Sequence, residues 1–338
     1  MKFSVGYRVS TNNSIVNSII KNRKNIYEVY FSWGDFANGR NSLGLNPDLT
    51  PWEEQALMER ELKILTDNGI SLNVLFNGMC YGKDSLSKSF FNKIGMTVDY
   101  LSRNYSLTSV TTTSPIIAKF IKSNFENLDV RASVNMGVNS IESFSYISDY
   151  FDSFYLAREL NRNFNAIKNI KTWCDDNGKN LHALANSGCL NNCSAHTFHD
   201  NLVAHEKEIA QMDNGFTFEG ICKNYLSKSE NKEQFFDITN FIRPEDTYHY
   251  EELLTSFKLA TRVSRYPSAI INAYINERSY SGNLLDLTEP SHSGVFYPQI
   301  ISNKKIESVV ENNILKYKNF NKSLIKLEDN AYVECSND

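Results

Sequence analysis

Strand-like and helix-like patterns alternate along almost the whole chain, and this alternation limits the fold more than any other feature. Short runs rich in β-branched and aromatic residues are separated by longer amphipathic stretches. Such an alternation predicts repeated strand–helix units around a parallel sheet. We predict strands over residues 2–7, 26–32, 71–77, 109–113, 129–135, 153–159, 181–186 and 241–243.

This count of strand–helix units favours an α/β fold of the TIM type, a (β/α)8 barrel with a long cysteine-containing loop after the seventh strand. A doubly wound open sheet is the alternative. The clearest helix lies over residues 51–68. Thr50 and Glu53 there have the spacing of a capping box, Pro51 takes the first helical position, and Gly69 provides the stop.

No linker divides the sequence, because no Pro/Gly/Ser-rich stretch or charge block separates two halves. We therefore predict one barrel over residues 1–263. Residues 264–338 are predicted to form a helical C-terminal extension that packs on the barrel and is not an independent domain.

The formal net charge of −4 and the pI of about 5.9 give no global basic field of the kind that drives non-specific nucleic-acid binding. A local basic groove remains open. The first residues lack the apolar run of a signal peptide, and no segment approaches the roughly 18 to 20 apolar residues that span a bilayer. We expect a cytoplasmic protein with no membrane partner. Its 6 cysteines therefore indicate metal or redox use in preference to disulfides.

A cysteine-rich segment follows the seventh predicted strand. Cys189 and Cys193 are separated by three residues, His196 and His199 follow them, and Cys222 lies further along the same loop. Closely spaced thiols with a distant one form a metal-ligand pattern that suits either an iron–sulfur cluster or zinc. The zinc alternative would use the three cysteines with one of the two histidines.

The CxxxCxxC motif of radical-SAM enzymes does not match, because its third position here is His196 and the motif lies on the seventh unit. For a fourth ligand, Cys80 follows the third strand and so belongs to the same mouth of a barrel as Cys189. Cys335 is the rival. Cys174 ends a helix at the opposite face and is expected to be an inert thiol.

Polar residues end several predicted strands, where the reactive loops of a TIM barrel lie. The sixth strand ends at Arg158 and Glu159, the seventh at Asn186, and the eighth leads into Arg243 and Glu245. Because a guanidinium matches the plane of a carboxylate, the arginines are candidates for holding a carboxylated substrate. Alternatively, Arg158 with Glu159 and Arg243 with Glu245 are ion pairs that only fix loops.

His196, His199 and His205 could supply a proton or bind metal, or could be core or capping histidines. The candidate catalytic residues are Arg158, Glu159, Asn186, His199, Arg243 and Glu245.

Three segments resemble the blocks that mark peptidase family U32: residues 186–199, residues 241–246 with Tyr250 after them, and residues 257–262. The resemblance covers most of the chain. It implies a TIM-like barrel, and the better understood members resemble oxygen-independent hydroxylation proteins that act on tRNA, ribosomal RNA or ubiquinone precursors. Those proteins carry a 4Fe–4S cluster on four cysteines, and several depend on prephenate as the oxygen donor.

The resemblance thus implies a 4Fe–4S cluster on Cys189, Cys193 and Cys222, with Cys80 added from barrel topology. The RNA- and quinone-linked members space their cysteines differently, and some carry a further C-terminal domain that this chain lacks, so an RNA substrate is not favoured. We expect an oxygen-independent hydroxylase with a prephenate-like donor acting on a small molecule or a modified biopolymer.

Two alternatives remain open. A peptidase would need the close cysteine pair as nucleophile and a histidine as base, because neither GxSxG nor HExxH is present. The second alternative is a non-catalytic accessory subunit that carries the cluster. The quinone-linked relatives function as pairs, so such a subunit would work with a partner protein.

Overall fold

Eight parallel strands close into a barrel in chain order, β1 to β8, in the computed structural model, which describes residues 1–9, 14–39, 49–276 and 280–326. The barrel closes where β8 pairs with β1, with Phe257 opposite Phe3. The (β/α)8 barrel prediction is therefore confirmed. The strands are β1 Phe3–Gly6, β2 Ile26–Phe31, β3 Leu72–Phe76, β4 Leu107–Thr112, β5 Asp129–Ala132, β6 Ser153–Tyr155, β7 Asn180–Leu184 and β8 Ser256–Leu259.

Helices surround the barrel and fill the loop between β7 and β8. The α-helices of the described residues are α1 Ser14–Lys21, α2 Pro51–Asp67, α3 Lys88–Tyr105, α4 Pro115–Asn124, α5 Ile141–Ser145, α6 Phe164–Asp176, α7 His196–Ala204, α8 Glu206–Ile209, α9 Ile221–Leu226, α10 Ser229–Lys232, α11 Phe235–Ile238, α12 Pro267–Asn276 and α13 Ser293–Phe296. Of these, none is both long and apolar enough to cross a bilayer.

Helix α2 begins as its sequence predicts. The Thr50 hydroxyl accepts a hydrogen bond from the Glu53 amide at 3.4 Å, and the Glu53 carboxylate accepts one from the Thr50 amide at 2.8 Å. This reciprocal pair satisfies two backbone donors that the first turn of a helix leaves without partners. The helix ends at Asp67, two residues before Gly69, the predicted stop.

The first seven predicted strands are confirmed, with ends that differ by a few residues, but the eighth is wrong. Residues 241–243 are buried without forming a strand, and the amide of Ile242 donates to the carbonyl of Ala185 at 2.8 Å. The true eighth strand is β8. A lysine in this short segment is not expected in the interior of a barrel, but the side chain of Lys258 faces into it.

The barrel interior is polar at its centre. Glu28 and Arg131 are both almost completely buried and form an ion pair, and Arg131 also bonds Asp129 at 2.7 Å. Asn73 and Ser109 donate to the two Glu28 carboxylate oxygens at 2.9 and 3.0 Å. These bonds give each buried charge a partner, which a low-dielectric interior requires.

The C-terminal extension contains strands as well as helices, so its prediction as helical is wrong in part. Strands β10 Glu307–Glu311 and β11 Ile314–Lys318 form one antiparallel pair, and β9 Gln299–Ile301 and β12 Leu324–Lys326 form another. Alternating exposed and buried residues along β11 are what a strand packed on one face shows. The division at residue 263 stays a prediction, although α12, just beyond it, packs beside α1 on the barrel.

Candidate functional site

A cavity opens at the C-terminal mouth of the barrel, where the strands end and the loops begin. Several strands contribute a residue from just beyond their last position, as reactive sites in this fold do. These residues are Asn77 after β3, Asn135 after β5, Arg158 after β6, Cys189 after β7 and Arg262 after β8.

Three of the predicted thiol ligands line this cavity together. Cys189 and Cys193 lie in the loop after β7, and Cys222 is the second residue of α9. Burial raises the pKa of the Cys222 thiol, and negative charge on Cys189 and Cys193 raises it further, as expected for neighbouring thiols. The long loop between β7 and β8 therefore brings a distant cysteine back to the close pair.

The position of Cys189 depends on contacts with two other segments. The Gly188 amide donates to the carbonyl of Glu289 at 2.8 Å, and the Asn191 amide donates to the carbonyl of Ile238 at 2.7 Å. Asn192 has a φ of 52°, a left-handed conformation that asparagine tolerates better than most residues. The loop is thereby held between α11 and the extension.

Two of the three predicted histidines also line the cavity. His196 and His199 lie on α7 three residues apart, which places them on one helix face. His196 Nε2 is hydrogen-bonded to the Arg158 guanidinium and lies 3.1 Å from a carboxylate oxygen of Asp200. The ring of His199 packs edge-on to Phe218, with centroids 5.5 Å apart.

The cavity is also lined by basic side chains. Arg158, Lys258 and Arg262 all line it. Arg158 donates to the Asn135 side chain at 2.8 Å, and its Nε is buried without a hydrogen-bond partner in the described structure. Arg262 donates to the Ser32 hydroxyl at 2.7 Å. This group of positive charges suits an anionic ligand.

Cys80 does not line the cavity that the other three cysteines share. Its thiol accepts a hydrogen bond from the Gly82 amide at 3.4 Å and lies beside His205, whose Nδ1 lies 2.7 Å from a carboxylate oxygen of Glu208. The bonds from His205 and from the Gly82 amide lower the pKa of the Cys80 thiol, and the bond with Cys80 raises the pKa of His205. The structure thus places the predicted fourth ligand in a separate cysteine–histidine–glutamate group. Cys335 lies outside the described residues.

Asn186 is buried beneath the cavity and bonds only to backbone. Its amide nitrogen donates to the carbonyls of Ala260 and Leu287 at 3.0 and 2.8 Å, and its oxygen accepts from the Ala260 amide at 2.7 Å. It ties the end of β7 to the chain after β8, and the structure does not bring its side chain to the cavity wall.

Three more predicted catalytic residues also lie away from the cavity. Glu159 is exposed at another surface groove. Arg243 donates to the Ile306 carbonyl and the Ser308 hydroxyl, both at 3.1 Å, while Glu245 accepts from the Tyr280 amide at 2.7 Å. Arg243 Nε lies 3.4 Å from Glu245, so this pair is the loop-fixing ion pair that the sequence left as an alternative.

Sequence reasoning missed Lys258 and Arg262 as cavity residues. Both lie in residues 257–262. This segment was singled out only because it resembles a block of peptidase family U32, and no role was predicted for its side chains. With the eighth strand predicted at residues 241–243, no strand was predicted over residues 256–259, and the inward side chains there had no predicted direction. Inward and outward alternation along residues 256–259 was the signal that could have found Lys258.

A single metal ion needs ligand atoms within about 2.0 to 2.3 Å of it, so its ligands lie close together. Across the described residues, no three His, Cys, Asp or Glu side chains have that arrangement. The three thiols and two histidines that line the cavity are donor types that both an iron–sulfur cluster and zinc take.

The relatives of the chain agree with this architecture. No protein-family model matches the chain. In sequence, it is 26% identical over 310 residues to the uncharacterized protease MJ1657 of Methanocaldococcus jannaschii. The matched region covers 88% of this chain and 87% of the relative. In structure, it is similar to the U32 peptidase Mk0906, with a TM-score of 0.54 and 15% identity, over 77% of this chain and 92% of that protein. The resemblance to peptidase family U32 is confirmed.

The three blocks that carry the U32 resemblance have different places in this barrel. Residues 186–199 supply two of the thiols and both cavity histidines, and residues 257–262 supply Lys258 and Arg262. Residues 241–246 instead bond to the C-terminal extension. Two of the blocks that carry the resemblance therefore lie at the cavity, and one supports the structure around it.

Proposed function

We propose that this U32-type protein is an enzyme that holds an iron–sulfur cluster through Cys189, Cys193 and Cys222 and acts on a carboxylated substrate in the same cavity. The observation that carries the proposal is the meeting of three thiols and two guanidinium groups, those of Arg158 and Arg262, on one cavity at the barrel mouth. When bound, such a cluster supplies redox or Lewis-acid chemistry.

The residues of the chain have separate tasks in this proposal. Arg158 offers a planar donor fork for a carboxylate, and its buried Nε lacks a hydrogen-bond partner in the described structure. The His196 imidazole, bonded to Arg158, orients that guanidinium. His199 can exchange a proton with a bound substrate or complete the ligand set in place of a fourth cysteine. The hydrophobic faces of Val134, Leu184 and Phe218 limit the access of water.

The reaction class that we propose is oxygen-independent hydroxylation with a prephenate-like donor, following the resemblance to the hydroxylation proteins. Hydroxylation from such a donor requires a site that binds carboxylate and excludes bulk water, and the cationic cavity wall meets the first requirement.

Anaerobic reconstitution with iron and sulfide tests the ligand set. We expect about four irons per chain, brown colour and broad visible absorbance. The variants Cys189→Ala, Cys193→Ala and Cys222→Ala should each lose most of the iron. Cys80→Ala is the matched control and should retain it, because Cys80 does not line the cavity. One zinc without iron, or equal iron loss in Cys80→Ala, would contradict the three-thiol cluster.

The reaction is tested in cells with and without the gene, by comparing metabolites and modified nucleosides. We expect a species with one added oxygen that forms without O2 and disappears in the Cys193→Ala strain. A product made only when a second protein is present would instead indicate an accessory subunit.

Peptide hydrolysis is the second candidate function. The name of the archaeal relative points to it, and the group of Cys80, His205 and Glu208 supplies a specific observation. A thiol with a lowered pKa, a histidine bonded to it and a carboxylate that orients the histidine is the arrangement of a cysteine nucleophile. An aromatic groove lined by Phe36, Tyr81 and Phe90 lies beside His205.

Fluorogenic peptide libraries distinguish the two functions. If the protein is a peptidase, Cys80→Ser should lower the rate of hydrolysis by about a hundredfold or more, since the nucleophile is lost. Cys193→Ala should hydrolyse the same peptides at the wild-type rate. Hydrolysis that persists in Cys80→Ser would show that Cys80 is not the nucleophile. If the wild type hydrolyses no peptide, the peptidase function is contradicted and the cluster enzyme is the remaining proposal.

A further inference from the structure

Lys258 is a buried lysine whose side chain points into the cavity. Strand β8 alternates: Phe257 and Leu259 belong to the hydrophobic core, whereas the Ser256 hydroxyl faces the barrel axis, 3.1 Å from that of Ser4. Lys258 shares the inward direction of Ser256. Only 7% of it is exposed, and it lines the cavity beside Arg158 and Arg262.

The surroundings of the Lys258 amine are aromatic and cationic. Its Nζ lies 4.1 Å from the centre of the Tyr30 ring and 5.4 Å from that of Tyr155. The Arg262 guanidinium lies 5.8 Å from the same Tyr30 ring. Within the described part of the chain, the Lys258 side chain forms no hydrogen bond or ion pair, and its amine contacts these two aromatic rings. A buried amine without a polar partner is costly, so its environment indicates a ligand.

These surroundings favour the neutral, nucleophilic form of the amine. The pKa of Lys258 is lowered to about 7. Burial is the largest cause and the positive charge of Arg262 the next, whereas the negative charge of Glu28 raises this pKa. Glu28 is itself paired with Arg131, and the positive charges of Arg158 and Arg131 contribute to the same lowering of the Lys258 pKa. Desolvation and neighbouring cations are the two conditions under which lysines become Schiff-base nucleophiles.

We propose that Lys258 forms a covalent imine with the carbonyl carbon of a substrate whose carboxylate is held by Arg158 and Arg262, the simplest class being a 2-oxo acid. The Nζ lone pair forms the C–N bond, the C–O bond breaks, and the carbonyl oxygen leaves as water with the two amine hydrogens. No oxidant or reductant is consumed. The proposal rests on the function proposed above, because both place a carboxylated substrate in this cavity.

Borohydride trapping tests the imine in the full-length protein. The wild type is incubated with pyruvate and sodium borohydride, and the adduct is located by peptide mass spectrometry. We expect a reduced adduct on Lys258. Lys179 is the internal control, because burial also lowers its pKa, yet it donates to the carbonyls of Ser148 and Phe151 at 2.7 and 2.8 Å. It should carry no adduct.

Two variants refine the test. Lys258→Arg keeps a long basic side chain but removes the amine, and it should lose the adduct completely. Arg158→Gln should lower the yield at limiting pyruvate by about tenfold, since a charge-assisted hydrogen bond is lost. The wild-type map is decisive even if Lys258→Arg folds poorly. An adduct spread over surface lysines, or absent from Lys258, overturns the proposal.

Measuring iron in the same samples separates this inference from the proposed function. Iron bound by the three cysteines with no adduct on Lys258 overturns the imine and leaves the cluster. An adduct on Lys258 in protein that never binds iron supports the imine and overturns the cluster.

Discussion

Gly188 lies between the end of β7 and Cys189, in close contact with the C-terminal extension. A Cβ at this position would lie 2.5 Å from the backbone carbonyl of Pro290 and 3.1 Å from the Thr288 side chain. Because the first of these atoms belongs to the backbone, a larger residue requires one of the two segments to move. The lack of a side chain at Gly188 therefore allows the approach that positions Cys189.

Gly188→Ala should destabilise the protein and displace Cys189. We expect a loss of about 1 to 3 kcal/mol in the free energy of unfolding, the usual cost of overpacking. Urea denaturation measures the loss, and the iron content after reconstitution should fall with it.

Gly215→Ala is the matched control, because no atom lies within 4 Å of a Cβ built at that exposed glycine. It should unfold at nearly the same urea concentration as the wild type. Equal stability of Gly188→Ala and Gly215→Ala would show that the segment around Pro290 adapts without cost.

At the scale of elements, β8 and the loop before it decide the composition of the site. The strand presents Lys258 to the cavity on the side opposite to Phe257 and Leu259, and the chain continues directly to Arg262. The loop between β7 and β8 contains α7 to α11, so helices within one connection carry His199 and Cys222 to the same cavity. Long loops at the C-terminal mouth are where this fold gains its chemistry.

The barrel as a whole contains a buried ionic centre that joins several strands. Glu28 of β2 accepts from Asn73 of β3 and Ser109 of β4, and pairs with Arg131 of β5. Since 1% of the Glu28 side chain and 3% of the Arg131 side chain are exposed, solvent cannot compensate for the loss of either charge. The centre therefore links adjacent strands through one carboxylate.

Glu28→Gln should cost about 3 to 5 kcal/mol of unfolding free energy, because it leaves the Arg131 charge buried with only Asp129 as a partner. Equilibrium urea unfolding, followed by circular dichroism, gives the difference.

Asp99→Asn supplies the control for that measurement. It removes the partner of Arg103 in an ion pair whose side chains are 47% and 76% exposed, and surface pairs of this kind contribute less than about 1 kcal/mol. If the two variants were equally stable, the buried pair would contribute no more than a surface one.

The sequence by itself determined the architecture of the barrel. Seven strands, the capped start of α2 and the position of the cysteine-rich loop follow from patterns over a few neighbouring residues, and such patterns act within one element. It also singled out Cys189, Cys193, Cys222 and His199, which line one cavity, because the spacing of the motif is local apart from one distant cysteine.

Only the tertiary structure decided which polar residues share the cavity. Arg158 and Arg243 both follow short strand-like runs, yet Arg158 lines the cavity, whereas Arg243 bonds to Ile306 and Ser308 in the extension. Cys80 likewise lies beside His205 and does not line the cavity that the other thiols share. The direction of a side chain at a strand end depends on segments distant in the chain that pack against it, and no local pattern contains that information.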